Sequence, residues 1–303
     1  MPELFQTFAN NLLPILIIGS TVVLLGKLLN VDPRPLGRVI FYIFSPVLVF
    51  SLIIKSQLSL DKIASMLGIA AAVILISGGV AWVTGRLMRF EQQTLIAVLL
   101  TSMFINAGNY GLPLVSFAFG EEALAYASIF FVASAIMLNT VGVLIASLGH
   151  LDLKKSLLGL LKVPHVYAII LGLMVLNAGW ILPAPLARAV SLLANGAIPA
   201  MLVLLGIELQ RVEWSRHVRA ISVSATIRLV IGPLIGLGLA SLFGLSGAAR
   251  QAAVTQSAMP AAVMITILAS EYKLEPSLVT ASIFVSTVLS PLTLTPLLVF
   301  LGK

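Results

Sequence analysis

Apolar runs of about 20 residues recur along the chain with short polar intervals between them, the length a helix needs to cross the hydrocarbon of a bilayer. They predict helices near residues 4–29, 34–55, 62–87, 94–118, 122–147, 163–181, 184–208, 217–243, 250–270 and 277–301, which makes ten spans. The division between the sixth and the seventh rests on Pro183 and Pro185. Two of the runs are interrupted: Asn106-Ala107-Gly108-Asn109-Tyr110-Gly111-Leu112-Pro113 lies within the fourth, and Gln256-Ser257-Ala258-Met259-Pro260 within the ninth. An unwound stretch in a bilayer bares N–H and C=O groups that must line a cavity or meet protein, so paired breaks point to a transport site rather than to an anchor.

Composition sharpens the class. With 59% apolar residues, 10% charged residues and a mean hydropathy of +1.11, the chain has more apolar surface than a soluble core could hide and reads as an all-α integral membrane protein. No linker or low-complexity tract interrupts the runs, so a single membrane transporter domain over 1–303 is expected, with no room for a soluble catalytic domain. The net charge of +7 comes from basic residues scattered in short loops, where they would meet anionic headgroups; membrane lipids are expected partners and nucleic acid is not. The absence of cysteine excludes disulfides, Cys-ligated metals and thiol catalysis. No Ser/His/Asp set and no metal-binding spacing converges within the spans, so no enzyme, cofactor or metal site is expected. The first run starts with Glu3 instead of a basic region and has no small-residue cleavage site before Lys27; it reads as a span, not as a cleaved signal peptide.

Basic residues also set the orientation. Alternate loops hold Lys27, Arg34, Arg38, Arg86, Arg89, Lys154, Lys155, Lys162, Arg211, Arg216, Arg219 and Lys273, twelve in all, whereas the other set holds Lys55, Lys62, Arg188, Arg250 and Lys303. The richer set is expected in the cytoplasm, with both termini extracytoplasmic, in a bacterial inner membrane.

Two sets of five spans have opposite orientations, and features recur between them. Ala127-Ser128-Ile129-Phe130 returns as Ala281-Ser282-Ile283-Phe284; Pro46 matches Pro199 and Pro113 matches Pro260; Pro35-Leu36-x-Arg38 opens the second span as Pro185-Leu186-x-Arg188 opens the seventh. These predict inverted repeats over 1–150 and 160–303, the architecture of alternating-access carriers. The ten-span plan with the N-A-G-N-Y-G-L-P and Q-S-A-M-P breaks resembles the auxin efflux carrier family, whose bacterial members accompany the plant PIN-formed carriers. The resemblance covers the whole chain, the asparagine and glycine block before Pro113 being its most specific part. It implies a fold like that of bile-acid and NhaA-type transporters, with a scaffold of spans 1, 2, 6 and 7, a core of spans 3–5 and 8–10, and broken helices four and nine crossing near their prolines. The long central hydrophilic loop of the plant carriers is absent, since Leu148 to Lys162 is all that joins the halves.

Candidate site residues follow from the breaks. Pro113 and Pro260 each remove a helix hydrogen bond and are expected to open the helix just before them, while Gly108 and Gly111 loosen the first break and admit close backbone approach. Asn106, Asn109, Tyr110, Gln256 and Ser257 supply donors and acceptors at the same level, and helix N-termini there favour an anion. The alternative is a packing kink whose polar side chains recapture freed backbone groups. Pro46 and Pro199 are expected to kink scaffold helices, with Ser45 and Asn195 as secondary candidates and Asn139 as an interhelical hydrogen bonder. Arg228 is a charged residue in the middle of a span, so it should face a cavity, carbonyls or a carboxylate; it could bind an anionic substrate or tie helix-end carbonyls or Glu208. The acidic residues Glu91, Glu121, Glu122, Glu208 and Glu271 fall at helix ends or in loops, and His150, His165 and His217 near the cytoplasmic boundary read as solvated interface histidines. Gly232-x-x-x-Gly236 reads as close helix packing.

The expected function is secondary transport of a small organic anion, a carboxylate, dicarboxylate or auxin-like acid, with Na+ or H+ as candidate coupling ions and a homodimer as the expected assembly. A sodium- or proton-coupled cation exchanger of NhaA-like fold and an anion channel are the alternatives. On this topology, reporter fusions at Lys303 and at Lys154 should report opposite compartments. Equal readings would overturn the ten-span plan.

Overall fold

The structure, a computed structural model, describes residues 2–29, 31–56, 58, 60–147, 163–210 and 212–302. The segment joining the expected halves, with His150, Lys154, Lys155 and Lys162, lies outside the described residues, as do Arg211 and Lys303. The described residues are helical apart from loops and one isolated antiparallel bridge. In chain order the helices are α1 (Pro2–Gly26), α2 (Pro33–Lys55), α3 (Leu60–Leu87), α4 (Gln92–Met103), α5 (Ala107–Ala146), α6 (Pro164–Asn177), α7 (Ala184–Leu209), α8 (Val218–Leu242), α9 (Gly247–Ser257), α10 (Ile265–Glu271) and α11 (Pro276–Leu301).

Seven of these, α1, α2, α3, α5, α7, α8 and α11, are long and apolar enough to cross a membrane. The difference from ten expected spans has local causes. The fourth run is divided between α4 and the start of α5, and α5 continues for 40 residues through the fifth run. Inside it Gly120 has φ 76 and ψ −164, a combination that only glycine occupies without strain, and it kinks the helix there. The sixth run yields the 14-residue α6, and the ninth is split into α9 and α10, of 11 and 7 residues.

Four of the five π-helical turns among the described residues precede a proline; the fifth, Leu138–Gly142 in α5, does not. The π-helical turns Phe8–Leu12, Ile40–Phe44, Ala107–Gly111 and Ile227–Ile231 each end two residues before a proline, namely Pro14, Pro46, Pro113 and Pro233. A pyrrolidine ring crowds the carbonyl four residues earlier, and widening the preceding turn by one residue relieves that clash without ending the helix. Pro113 therefore does not open its helix, contrary to the sequence expectation; the chain is broken further upstream, at residues 104–106. Pro199 lies inside the continuous helix α7, where no break accompanies it. Prolines at helix starts, Pro33, Pro164 and Pro276, occupy positions where a missing N–H is harmless.

Glycines let helices approach closely. A Cβ on Gly206 of α7 would lie 2.7 Å from Val22 of α1, one on Gly196 2.9 Å from Phe44 of α2, and one on Gly172 of α6 3.0 Å from Ile53 of α2. Gly78 of α3 meets Met103 at the end of α4 in the same way, at 2.7 Å. The outer surface stays apolar: Leu24, Leu171, Leu192, Leu242 and Leu292, on five different helices, are each more than half exposed. Hydrocarbon rather than water suits such a surface.

Because a Cβ on Gly120 would meet nothing within 4 Å, Gly120→Ala tests backbone conformation alone. It should destabilise the folded protein by about 1–3 kcal/mol, whereas Gly238→Ala, equally uncrowded but within helix α8, should be neutral or stabilising. The comparison is read from thermal unfolding in detergent, and equal midpoints for the two variants would refute it.

Candidate functional site

The two interruptions meet. Residues Phe104 to Asn106, between α4 and α5, run antiparallel to Pro260 to Ala262, between α9 and α10, with Ile105 opposite Ala261. Asn106 N–H donates to Pro260 O at 2.8 Å, and Ala262 N–H donates to Phe104 O at 2.9 Å. Ser286 Oγ on α11 accepts the N–H of Ala261 at 3.2 Å. Each break thereby satisfies peptide groups of the other, as backbone unwound among apolar side chains requires. Pro260 contributes locally, since a proline biases its predecessor away from the helical region and cannot donate. The first break contains no proline, and its extended Phe104 (φ −97, ψ 126) is held by the pairing itself.

Beside this crossing lies a half-open hollow of about 750 Å³, the solvent-open space at its mouth included. Its wall is mainly apolar, with Phe41, Phe104, Phe131, Met201 and Leu204, and its polar groups are Asn106, Asn109, Asn139, Ser45 and Ser134. This combination of an apolar hollow with a few convergent polar groups is the usual form of a small-molecule site. Asn106 is only 5% exposed, and its Nδ2 is buried without a hydrogen-bond partner, a state that costs free energy until a ligand or water supplies an acceptor. Asn109, in the π-turn of α5, donates from Nδ2 to Glu208 Oε2 on α7 at 3.4 Å. Asn139, expected to bond between helices, instead donates to Ala135 O one turn earlier in α5 at 2.8 Å, the nearest carbonyl its side chain can reach. Gly108 also lines the cavity, where a Cβ would crowd Phe131 at 2.8 Å.

The other predicted site residues lie elsewhere. Gln256 is fully buried at the end of α9 and donates from Nε2 to the carbonyls of Ala107 at 3.2 Å and Ala127 at 3.4 Å. Its Oε1 presses on Gly111, where no side chain would fit. Ser257 Oγ donates to Ala253 O at 2.7 Å. Ser290 Oγ gives its proton to Thr287 O at 2.8 Å, so Tyr110 donates its hydroxyl to Ser290 at 3.0 Å, away from the cavity. Asn195 and Pro199 are exposed on α7, and Pro46 is buried behind Ser45. The polar letters of the breaks therefore divide: Asn106 and Asn109 face the hollow, Tyr110 and Gln256 bond to other helices, and Ser257 is bonded within its own.

Arg228 belongs to the second group. It is fully buried in the π-turn of α8, outside the cavity wall, and donates from Nη2 to Ser77 Oγ of α3 at 2.8 Å. Among the described residues no carboxylate lies within ion-pair distance of it. A Cβ on Gly232, one turn along, would lie 3.3 Å from Arg228 Nη2 and 2.7 Å from Ser257 O at the end of α9. Ser77 in turn adjoins Gly78, which packs on the last residue of α4. The guanidinium thus sits near the C-terminal ends of both α4 and α9, where unsatisfied carbonyls concentrate partial negative charge. Its Nε and Nη1 are buried without a hydrogen-bond partner, so no carbonyl at either helix end is hydrogen-bonded to it and Ser77 is its one bonded partner among the described residues. Gly236 completes the packing, with Ser257 Oγ 2.7 Å from where its Cβ would be.

Two residues escaped the sequence analysis. His165, expected at a solvated interface, is fully buried between Phe41 and Phe131, whose rings it meets edge to face at 5.0 Å each. Ser45 Oγ donates to Ile40 O at 2.8 Å, so His165 Nε2 is the donor in the 2.7 Å contact with Ser45, and Nδ1 is left buried without a partner. Glu208, set aside as a helix-end carboxylate, is brought to Asn109. Neither contact has a local sequence signal, because each joins residues about a hundred or more positions apart.

Comparison with known proteins places the chain among transporters. The sequence model of the family described as Membrane transport protein matches residues 11–298. An uncharacterized transporter of Methanothermobacter thermautotrophicus is 25% identical over 283 residues, covering 92% of this chain and 93% of that protein. An uncharacterized transporter of Methanocaldococcus jannaschii is 24% identical over 284 residues, covering 91% and 92%. A probable auxin efflux carrier component 1b of Oryza sativa subsp. japonica is 28% identical over 142 residues, 45% of this chain and 26% of the carrier.

The Gly111–Gln256 contact can be tested as a pair. Gly111→Ala alone should destabilise the protein, and Gln256→Ala alone should do so by removing two buried hydrogen bonds. In the double variant the new methyl has room, so the two losses should fall short of additivity by about 1 kcal/mol or more. Additive losses would mean that the two residues do not press on each other.

Proposed function

Because the chain belongs to the Membrane transport protein family, the auxin efflux carrier family of the sequence resemblance, we propose that it is a secondary transporter of a small organic anion working by alternating access. Family membership makes it a multi-pass membrane transporter and not an enzyme; the substrate class and mechanism are our reading. The observation that carries it is Asn106: a buried carboxamide donor without a partner, on the edge of a 750 Å³ cavity, at the point where two interrupted helices exchange backbone hydrogen bonds. A carboxylate is a strong acceptor for such a donor, and the aromatic and aliphatic wall suits the carbon skeleton attached to it. Polar groups are gathered at the crossing instead of continuing along a pore, which favours a carrier over a channel.

The ten-crossing, inverted-repeat plan remains our reading of the topology. A 40-residue helix is about 60 Å long, twice the hydrocarbon thickness of about 30 Å, so a crossing and a return divided at Gly120 would accommodate α5. With α4 joined to the first part of α5, α9 joined to α10, and α6 as a further crossing, the segments number ten. The close contacts of α1, α2, α6 and α7 support treating them as a scaffold, with the remaining helices as a core. Both termini would lie outside the cytoplasm in an inner membrane.

A thermal-shift screen of the purified protein against organic anions and sodium tests this function, because a ligand specific to the folded state raises its apparent stability. A carboxylate should stabilise the wild type, and Asn106→Ala should weaken its binding by about 1–3 kcal/mol while the protein stays folded. Stabilisation by sodium alone, or an Asn106→Ala variant with unaltered anion affinity, would reject the proposal.

A further inference from the structure

Asn109 and Glu208 stand between two spaces. Asn109 lines the large cavity, whereas Glu208, one residue before the end of α7, lines a smaller opening of about 250 Å³ with Thr266, Thr280 and Phe284. Val263 lines both. A hydrogen bond of 3.4 Å from Asn109 Nδ2 to Glu208 Oε2 spans the same boundary. The carboxamide nearest to the unpartnered Asn106 is thus already held by a carboxylate belonging to the protein.

We propose that Glu208 is a resident competitor for the substrate's carboxylate: it holds Asn109 in the empty carrier, and an incoming organic anion displaces it and opens the boundary between the two spaces. This rests on the organic-anion reading above and adds a residue and a gate to it. The two carboxyl groups would want the same N–H, and a single N–H serves one strong acceptor at a time, so occupancy by one removes the other. The resident bond is replaceable, being longer than the roughly 2.7–2.9 Å of strong charge-assisted hydrogen bonds. Glu208 is half-buried rather than sealed and already lines the smaller opening, on the side away from the large hollow. Since Asn109 rides on α5 and Glu208 on α7, displacement also severs a polar tie between two helices. A ligand that binds better to the severed arrangement shifts the population toward it.

The cysteine-free sequence permits a direct test. Anion binding (succinate, malonate, indole-3-acetate) is measured for the wild type, Glu208→Ala and Glu208→Gln. In parallel, Ser134→Cys in the cavity wall is labelled with an impermeant maleimide from the side of residues 212–217. Both Glu208 variants should bind the preferred anion more tightly, Glu208→Ala by about five- to tenfold, and should label faster without ligand; added anion should accelerate labelling when Glu208 is present. Folded variants with unchanged or weaker binding and unchanged labelling would overturn the inference while leaving the transport reading intact. If the wild type binds none of the anions, that reading falls, and labelling alone decides the gate: faster in Glu208→Ala retains it, unchanged removes it.

Discussion

Two stretches of unwound backbone, far apart in sequence and set among apolar side chains, have to satisfy each other's peptide groups, and the architecture around the crossing serves that requirement. The paired bonds between Phe104, Asn106, Pro260 and Ala262 replace what helix would otherwise provide, in surroundings where an orphaned N–H or C=O is costly. Gln256 ties α9 to the carbonyls of Ala107 and Ala127 on α5, Ser286 accepts from Ala261, and Gly111, Gly232 and Gly236 leave the space in which these contacts fit. Arg228 supplies positive charge where two helices end together. Without the backbone pairing, none of these side chains would have its partner.

The cavity is a by-product of the same geometry. Where α4 stops and α5 begins on a shifted axis, the helices cannot pack as continuous rods, and the hollow that remains is edged by the first turn of α5. Asn109 is presented to it from the π-helical turn that ends two residues before Pro113, and Asn106 from the broken segment just ahead of that turn. The proline credited from sequence with breaking the helix instead sets how the side chains just before it are presented. The chemistry of the site thus depends on a backbone register more than on the number of polar residues near it.

Class and the neighbourhood of both breaks were legible because hydropathy and proline placement are local properties, whereas the division of the fourth, fifth and ninth runs into helices was not. Asn106 and Asn109, singled out as polar residues that an apolar run has no reason to contain, both line the hollow. Their separation from Tyr110, Gln256 and Ser257 was not legible, since the direction a side chain takes depends on which helix lies opposite. The exact site of the first break was misplaced for the same reason: residues 104–106 carry no breaker and are extended only because Pro260–Ala262 lie alongside. His165 and Glu208 look like ordinary helix-end residues in sequence, and only tertiary folding brings them to Ser45 and Asn109.

The position of Arg228 has a mechanical consequence. One guanidinium lies by the ends of α4 and α9 while its own helix, α8, is locked against α9 through Gly232 and Gly236. Sliding α8 along α9 would bring backbone against side chain at those two glycines, and moving α8 from α3 would break the one hydrogen bond of the guanidinium, to Ser77. Three helices are thus fastened largely by what is missing, the side chains at positions 232 and 236, and a single methyl group at either would wedge them apart.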